Sequence, residues 1–143
     1  MNTSQKKQIE LISFGYKLKA YSDYLSTQAR SFAVTSKPIY LKKYWDEVII
    51  HQNRDRIINA IEIFSNSEKD SQLLIESKRN SDVLIETEIR SMKLITSILK
   101  IPNYLLPDPL KRYQLEEQDK KLSLAKKRSL AQNILFDKNL YTD

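Results

Sequence analysis

Residues 74–99 carry a repeating seam that constrains the fold more than any other stretch of the sequence. Alternating steps of four and three from Leu74 keep one face of a long helix turned toward a partner helix. The positions reached are Leu74, Lys78, Ser81, Ile85, Glu88, Met92, Ile95 and Leu99. Ser81 and Glu88 stand where an ordinary coiled coil has Leu or Ile. We therefore predict that this helix either holds a partner charge or opens onto a polar pocket.

The composition favours an all-α fold. A chain of 143 residues fits one domain with a core of its own. One Gly and four Pro are too few for the turns of a sheet protein. The same face pattern recurs near the N-terminus, with a single polar member. Its positions are Leu11, Phe14, Leu18, Tyr21, Leu25, Gln28 and Phe32.

Four long helices are predicted, at about 4–35, 38–64, 67–100 and 109–142. Proline disfavours helix in the residue before it and suits the first turn of a helix, so the second helix is predicted to begin at Pro38. Residues 101–109 hold three prolines, so this segment is not helical. Asp108 is the expected N-cap of a broken fourth helix, whose second part Ser123 would cap.

Short turns between long helices predict an up-down-up-down four-helix bundle. An even number of antiparallel helices would leave both chain ends at the same end of the bundle. That is the geometry of a domain between two membrane spans. No apolar run within the sequence approaches the ~18 residues that a span requires.

The remaining composition argues against several classes of function. The net charge is +6, but basic and acidic residues interleave along the chain, so nucleic-acid binding is not expected. The absence of cysteine excludes disulfides and zinc–thiolate sites, and His51, the one histidine, cannot form a two-histidine metal site. The sequence has no Gly-rich phosphate loop and no catalytic constellation. We expect no catalytic residue, no metal, no cofactor and no enzymatic activity.

Arg30 and Glu88 could form either a structural ion pair or part of a ligand pocket. Both fall on or beside a predicted seam, so they could form a structural ion pair that fixes helix register. Alternatively, the planar fork of Arg30 could bind a carboxylate or phosphate of a ligand in a pocket beside Glu88. The sequence leaves both interpretations open.

Five further residues are candidates for ligand contact. Tyr40, Tyr44 and Trp45 could fill the core, or they could form pocket walls that combine apolar area with a polar tip. Asn80 and Ser81 give the third helix a small polar step beside Glu88, which suits a pocket better than a dry seam. We therefore take these five with Arg30 and Glu88 as the candidate ligand-binding set.

Four patches in order resemble the extracytoplasmic four-helix sensor domains of bacterial transmembrane receptors. The first two are residues 25–35 and residues 40–47 with Asn53-Arg54-Asp55. The third is residues 78–88, followed by Met92, and the fourth is residues 122–137. The chain departs from the family pattern at Ser36-Lys37, where Gly-Asp is usual, and at Phe32, where Tyr is usual.

The resemblance implies that residues 1–143 form one sensor domain, normally flanked by two transmembrane helices, in the periplasmic part of a bacterial inner-membrane protein. It implies a small-molecule ligand or a periplasmic binding protein as partner, and a homodimer in the intact receptor. The output module would be a histidine kinase, chemotaxis or diguanylate cyclase module. The alternative is a free-standing helical-bundle adaptor that binds a partner helix in a groove.

Overall fold

The computed structural model describes residues 2–65 and 68–137, and this part of the chain is helical with no strand. The prediction of an all-α fold is therefore confirmed. The larger elements are α1 (Thr3–Thr35), α2 (Pro38–Trp45), a π-helical turn (Asp46–His51), α3 (Asn53–Phe64) and α4 (Glu68–Ile98). The smaller ones are a 3₁₀ turn (Asn103–Leu105), α5 (Asp108–Arg112), α6 (Glu117–Lys120), α7 (Leu124–Asn133) and a last 3₁₀ turn (Ile134–Phe136).

Helix α1 lies within one residue of its predicted bounds at both ends. Asn2 caps it: the Asn2 side chain accepts from the Gln5 backbone N–H at 2.8 Å, and the Gln5 side chain accepts in return from the Asn2 N–H at 3.1 Å. The helix ends at Ser36, whose left-handed backbone (φ 58°) makes the corner before Pro38. The predicted seam faces the protein interior, since each of its seven residues is buried or half-buried.

The predicted second helix is interrupted in its middle, at the polar stretch that begins with His51. The α-helix widens into the π-helical turn, and Gln52 adopts a left-handed backbone (φ 53°). Glu47 caps the N-terminus of α3. Its buried carboxylate accepts from the backbone N–H of Asn53 at 3.3 Å and from the Asn53 side chain at 2.8 Å. A carboxylate at a helix N-terminus satisfies unpaired N–H groups and the positive end of the helix dipole.

Helix α4 ends in a Schellman motif centred on Lys100, which has φ 56°. The Ile101 N–H donates to the Thr96 carbonyl at 3.1 Å, and the Lys100 N–H donates to the Ser97 carbonyl at 3.2 Å. The seam of this helix is buried in its centre, at Ser81, Glu88, Met92 and Ile95. It is exposed at Lys78 and Leu99, so the predicted contact face is shorter than the pattern suggests.

The Lys100→Gly substitution should raise the free energy of unfolding by about 0.5–1 kcal/mol, because glycine adopts the left-handed backbone without the steric cost that a Cβ adds. Lys78→Gly, at an exposed position inside the same helix, should instead lower it by about 1 kcal/mol. Urea unfolding followed by circular dichroism measures both. Two shifts of the same sign would contradict the left-handed geometry at Lys100.

The predicted fourth helix is three short helices, α5 to α7, instead of one helix in two parts. Asp108 is the first residue of α5, not its N-cap, which is Pro107. Ser123 caps α7 as predicted, accepting from the Lys126 N–H at 3.2 Å. Arg90 of α4 forms a bidentate ion pair with the buried Asp119 of α6, with N–O distances of 2.9 and 3.0 Å.

The phenol of Tyr113 lies near this ion pair, and its burial raises its pKa above the ordinary value of 10.0, against the opposing effect of the Arg90 charge. The unfolded chain therefore loses this proton first as the pH rises. The stability that neutral Tyr113 contributes should be complete below pH ~10 and lost as the pH approaches the folded-state pKa. Stability measured from pH 8.5 to 11 should fall more steeply in the wild type than in Tyr113→Phe; parallel curves would contradict the assignment.

Helix α1 contacts α2, α3, α4 and α7. Helices α1 and α4 lie side by side and run in the same direction. Ser26 of α1 contacts Glu88 of α4, and Leu18 and Ser81, which come earlier in their respective helices, line the same cavity. The C-terminal segment, by which we mean α7 with its 3₁₀ turn (residues 124–136), runs in the opposite direction to both. Its contacts with α1 and α4 join Arg128 to Ser36, Gln132 to Ala33, Arg30 to Leu135, and Ser91 to Ala131.

The C-terminal segment covers only part of the groove between α1 and α4. Leu135 lies beside Arg30, which is 27 residues, or ~40 Å, along α1 from Thr3. Phe32, Tyr44, Met92 and the segment's Leu135 are fully buried and belong to one hydrophobic core cluster. Residue 67, the predicted start of the third helix, and residue 142, the predicted end of the fourth, lie outside the described residues. The predicted placement of both chain ends at the same end of the bundle also involves residues outside the described ranges.

Candidate functional site

Glu88 lies at the centre of a buried polar network that joins three parts of the fold. Its side chain is 1 % exposed. One carboxylate oxygen accepts from the Ser26 hydroxyl of α1 at 2.6 Å, and the other accepts from the Tyr44 hydroxyl of α2 at 2.9 Å. Hydrogen bonds to a carboxylate are about twice as strong as neutral ones. The network therefore fixes the relative positions of α1, α2 and α4.

Ser26 is the member of this network that the sequence analysis did not identify. It lies just off the predicted seam of α1, so the seam pattern gives it no weight. A weaker signal was present, because polar or charged side chains recur every four residues at Ser22, Ser26 and Arg30. That spacing forms a stripe along one helix face.

Arg30 connects α1 to the C-terminal segment. Its Nε–H donates to the Leu135 carbonyl at 3.0 Å, and its guanidinium carbon lies 5.2 Å from the centre of the Phe136 ring. That distance is within range of a cation–π interaction. The direct pairing of Arg30 with Glu88 stays a prediction.

Arg54 forms a second polar cluster, between α3 and α4, that the sequence analysis also left unassigned. Its side chain is 10 % exposed. Its Nε–H donates to the Ser81 hydroxyl, and its two terminal nitrogens lie 3.1 Å from Asp55 and 2.9 Å from Asp82. The cluster satisfies a nearly buried guanidinium with two carboxylates and one hydroxyl, as a buried charge requires.

A cleft of about 640 Å³ opens between α1, the end of α3 and α4; we call it the polar cleft. Its polar lining includes Lys19, Ser22, Asp23, Ser26, Thr27, Arg30, Ser77, Asn80 and Ser81, and its apolar lining is Leu18, Ile61 and Leu84. The volume lies within the range of small-molecule sites. The cleft lies on the same α1–α4 groove as the C-terminal segment, and Arg30 both lines the cleft and contacts that segment.

The structure places the seven predicted site residues in three groups. Arg30, Asn80 and Ser81 line the cleft, while Glu88 and Tyr44 meet behind one of its lining residues, Ser26. Tyr40 and Trp45 pack against the hydrophobic core.

Trp45 borders a second, mainly apolar groove of about 330 Å³, with Leu41, Ile49 and Leu105 among its lining residues. Its ring makes an edge contact with Tyr44 at 5.0 Å between centroids. The buried Nε1–H of Trp45 has no hydrogen-bond partner within residues 2–65 and 68–137. The aromatic group of α2 therefore fills the core, with Trp45 at the edge of this groove.

Within the described residues, no group of three or more His, Cys, Asp or Glu side chains is placed to hold a metal ion. No helix among them is both long and apolar enough to cross a membrane. Comparison of the chain with protein-family models, curated proteins and solved structures gives no match. The function of the candidate site is therefore inferred from its geometry alone.

Proposed function

We propose that this chain is an extracytoplasmic signal-sensing domain of a bacterial transmembrane receptor, built as an up-down-up-down bundle of four helical segments. A ligand or a periplasmic binding protein would favour one packing of these segments over another. The change would pass through flanking membrane helices to a cytoplasmic signalling module. In this proposal the domain acts as a homodimer in the periplasm and has no enzymatic activity of its own.

One observation supports this proposal above the others. The polar cleft is lined by Ser26, whose hydroxyl belongs to the Glu88–Tyr44 network, and by Arg30, which holds the C-terminal segment. A ligand in the cleft would therefore touch side chains that fix α1 against α2, α4 and the segment.

The mechanism that we propose is a shift between two packings. A ligand moves such a balance only by the difference in its affinity for the two states. The C-terminal segment suits this role, because two of its hydrogen bonds with α1 run from a side chain to a backbone carbonyl. Arg30 donates to the Leu135 carbonyl, and Gln132 donates to the Ala33 carbonyl at 3.2 Å. Small helix shifts exchange such bonds between successive turns.

The test uses the absence of cysteine from the chain. Spin labels at Lys17→Cys in α1 and Lys126→Cys in α7, both exposed positions, report the distance between the two helices. A metabolite library is first screened for compounds that raise the melting temperature. We expect such a compound to change the 17–126 distance and to leave a control pair within α1, Lys17→Cys with Val34→Cys, unchanged.

The same domain placed between the two membrane helices of a receptor with a kinase output should make that output respond to the compound. An unchanged 17–126 distance together with a constant output would remove the sensory proposal.

An exposed apolar stripe favours a second candidate, a helical-bundle adaptor that binds a partner helix. Ile9, Ile12 and Tyr16 of α1 are 52, 58 and 74 % exposed and follow helical spacing. Exposed apolar stripes of this kind often mark interaction surfaces. Ile12→Glu should abolish capture of a partner if this alternative holds, and should leave ligand-dependent repacking intact if the sensory proposal holds.

A further inference from the structure

We infer that the polar cleft binds an uncharged, polyhydroxylated ligand about 10 Å long, of the sugar or sugar-alcohol class. The inference names the ligand class for the sensory function proposed above and rests on it. It follows from two buried hydroxyls in the cleft wall, Ser26 and Ser81, whose hydrogen-bonding directions are set by charges behind them.

Ser26 presents an acceptor to the cleft. Its hydroxyl is 4 % exposed and donates its proton to the Glu88 carboxylate at 2.6 Å. A hydroxyl has one proton and two lone pairs. With the proton committed to Glu88, Ser26 can offer a ligand only its lone pairs. A ligand group that meets Ser26 must therefore donate.

Ser81 presents the opposite polarity. Its hydroxyl is 5 % exposed and accepts from the Nε–H of Arg54. Its own proton has no acceptor within the described parts of the chain, so it can be donated into the cleft. A ligand group that meets Ser81 must therefore accept.

The spacing of the two hydroxyls sets the length of the ligand. Ser26 lies at the level of Glu88, and Ser81 precedes Glu88 by seven residues in α4, which is ~10 Å along the helix axis. A small amino acid such as alanine is too short to reach both. Asn80 and Ser22 line the cleft beside them and add donors and acceptors for intermediate groups.

The charges around the cleft favour a neutral ligand. Lys19 and Asp23 pair with each other at 3.1 Å, and Arg54 is balanced by Asp55 and Asp82. Arg30, the other charged residue of the lining, is already engaged by the Leu135 carbonyl and the Phe136 ring. A charged ligand would lose its hydration without gaining a counter-charge from these pairs. A polyol pays no such penalty, because each hydroxyl both donates and accepts. Its C–H groups can pack on the apolar side chains of the lining, Leu18, Ile61 and Leu84.

The test measures binding of maltose, trehalose and sorbitol to the full 143-residue chain by saturation-transfer NMR at millimolar concentration. Glutamate, succinate and spermidine form the charged comparison set. We expect at least one neutral probe to bind. Ser77→Phe, which fills the cleft, should abolish the signal, and the matched Ser129→Phe, at an exposed position of α7, should retain it. Circular dichroism establishes that both variants are folded.

Variants of the two hydroxyls test the assigned polarity. Ser26→Ala and Ser81→Ala should each weaken binding of the neutral probe by about tenfold, as expected for the loss of one hydrogen bond. Ser81→Thr keeps the hydroxyl and should retain affinity, which separates the lost bond from any disturbance of Arg54. Failure of every neutral probe to bind, or a signal that survives in Ser77→Phe, would overturn the inference.

The inference and the proposed function fail in different ways. Binding of charged probes alone, with helix repacking intact, would overturn the ligand class and leave the sensory function standing. Binding of a neutral probe that changes neither the 17–126 distance nor a receptor output would uphold the ligand class and remove the sensory function.

Discussion

Glu88→Ala should lower the free energy of unfolding by about 3 kcal/mol. The substitution removes the hydrogen bond from the fully buried Tyr44 hydroxyl to Glu88, and the loss of one partner from a buried hydrogen bond costs about 1–3 kcal/mol. It also removes the acceptor of Ser26 and leaves a cavity between α1, α2 and α4. Urea unfolding at neutral pH measures the loss. Glu86→Ala, at an exposed position two residues earlier in α4, is the matched control and should change stability by less than about 0.5 kcal/mol.

A double-mutant cycle with Tyr44→Phe tests whether the loss comes from the network. Once Glu88 is gone, removing the Tyr44 hydroxyl should cost little, so the two changes should be non-additive by about 1 kcal/mol or more. Additive effects would mean that the Tyr44–Glu88 bond contributes nothing, and that Glu88 acts through some other contact.

Leu135→Ala should lower the free energy of unfolding by about 3 kcal/mol as well. Leu135 is fully buried and packs in the core with residues of α1 and α4. Removing three side-chain carbons from such a site loses the transfer free energy of those atoms and leaves a cavity. Leu124→Ala, at a position of the same segment that is 55 % exposed, should change stability by less than about 0.5 kcal/mol.

The shape of the unfolding curve carries further information about the C-terminal segment. If the segment belongs to one cooperative core with α1 and α4, Leu135→Ala should shift the midpoint and leave a single transition of unchanged slope. A separate early transition in the variant would show that the segment unfolds by itself. Equal losses in the Leu135 and Leu124 variants would contradict the packing described here.

The elements that the sequence predicted well are those whose signals are local. The bounds of α1 follow from a periodic face with a single polar member and from a proline three residues beyond its end. The buried centre of the α4 seam follows from the same kind of pattern. Such signals act within a few residues of the chain, so they can be recognised from the sequence alone.

The candidate site was predicted only in part, because its chemistry depends on which side chains meet. Glu88 was identified as an anomaly in a seam, but its partners Ser26 and Tyr44 lie 62 and 44 residues away in the chain. Arg54 was assigned no role in a site, although its side chain is nearly buried against α4. No spacing rule within a helix indicates a partner on another helix.

The sequence by itself determined the helical class, the extent of α1 and the polar step in α4, since periodicity, caps and prolines act along the chain. Only the tertiary structure decided that the predicted fourth helix breaks into three short helices and that Arg30 lies both against Leu135 and in the lining of the polar cleft. The same holds for the direction of each buried hydrogen bond. These features depend on packing and on charges brought together from distant parts of the chain, and such long-range contacts override local preference.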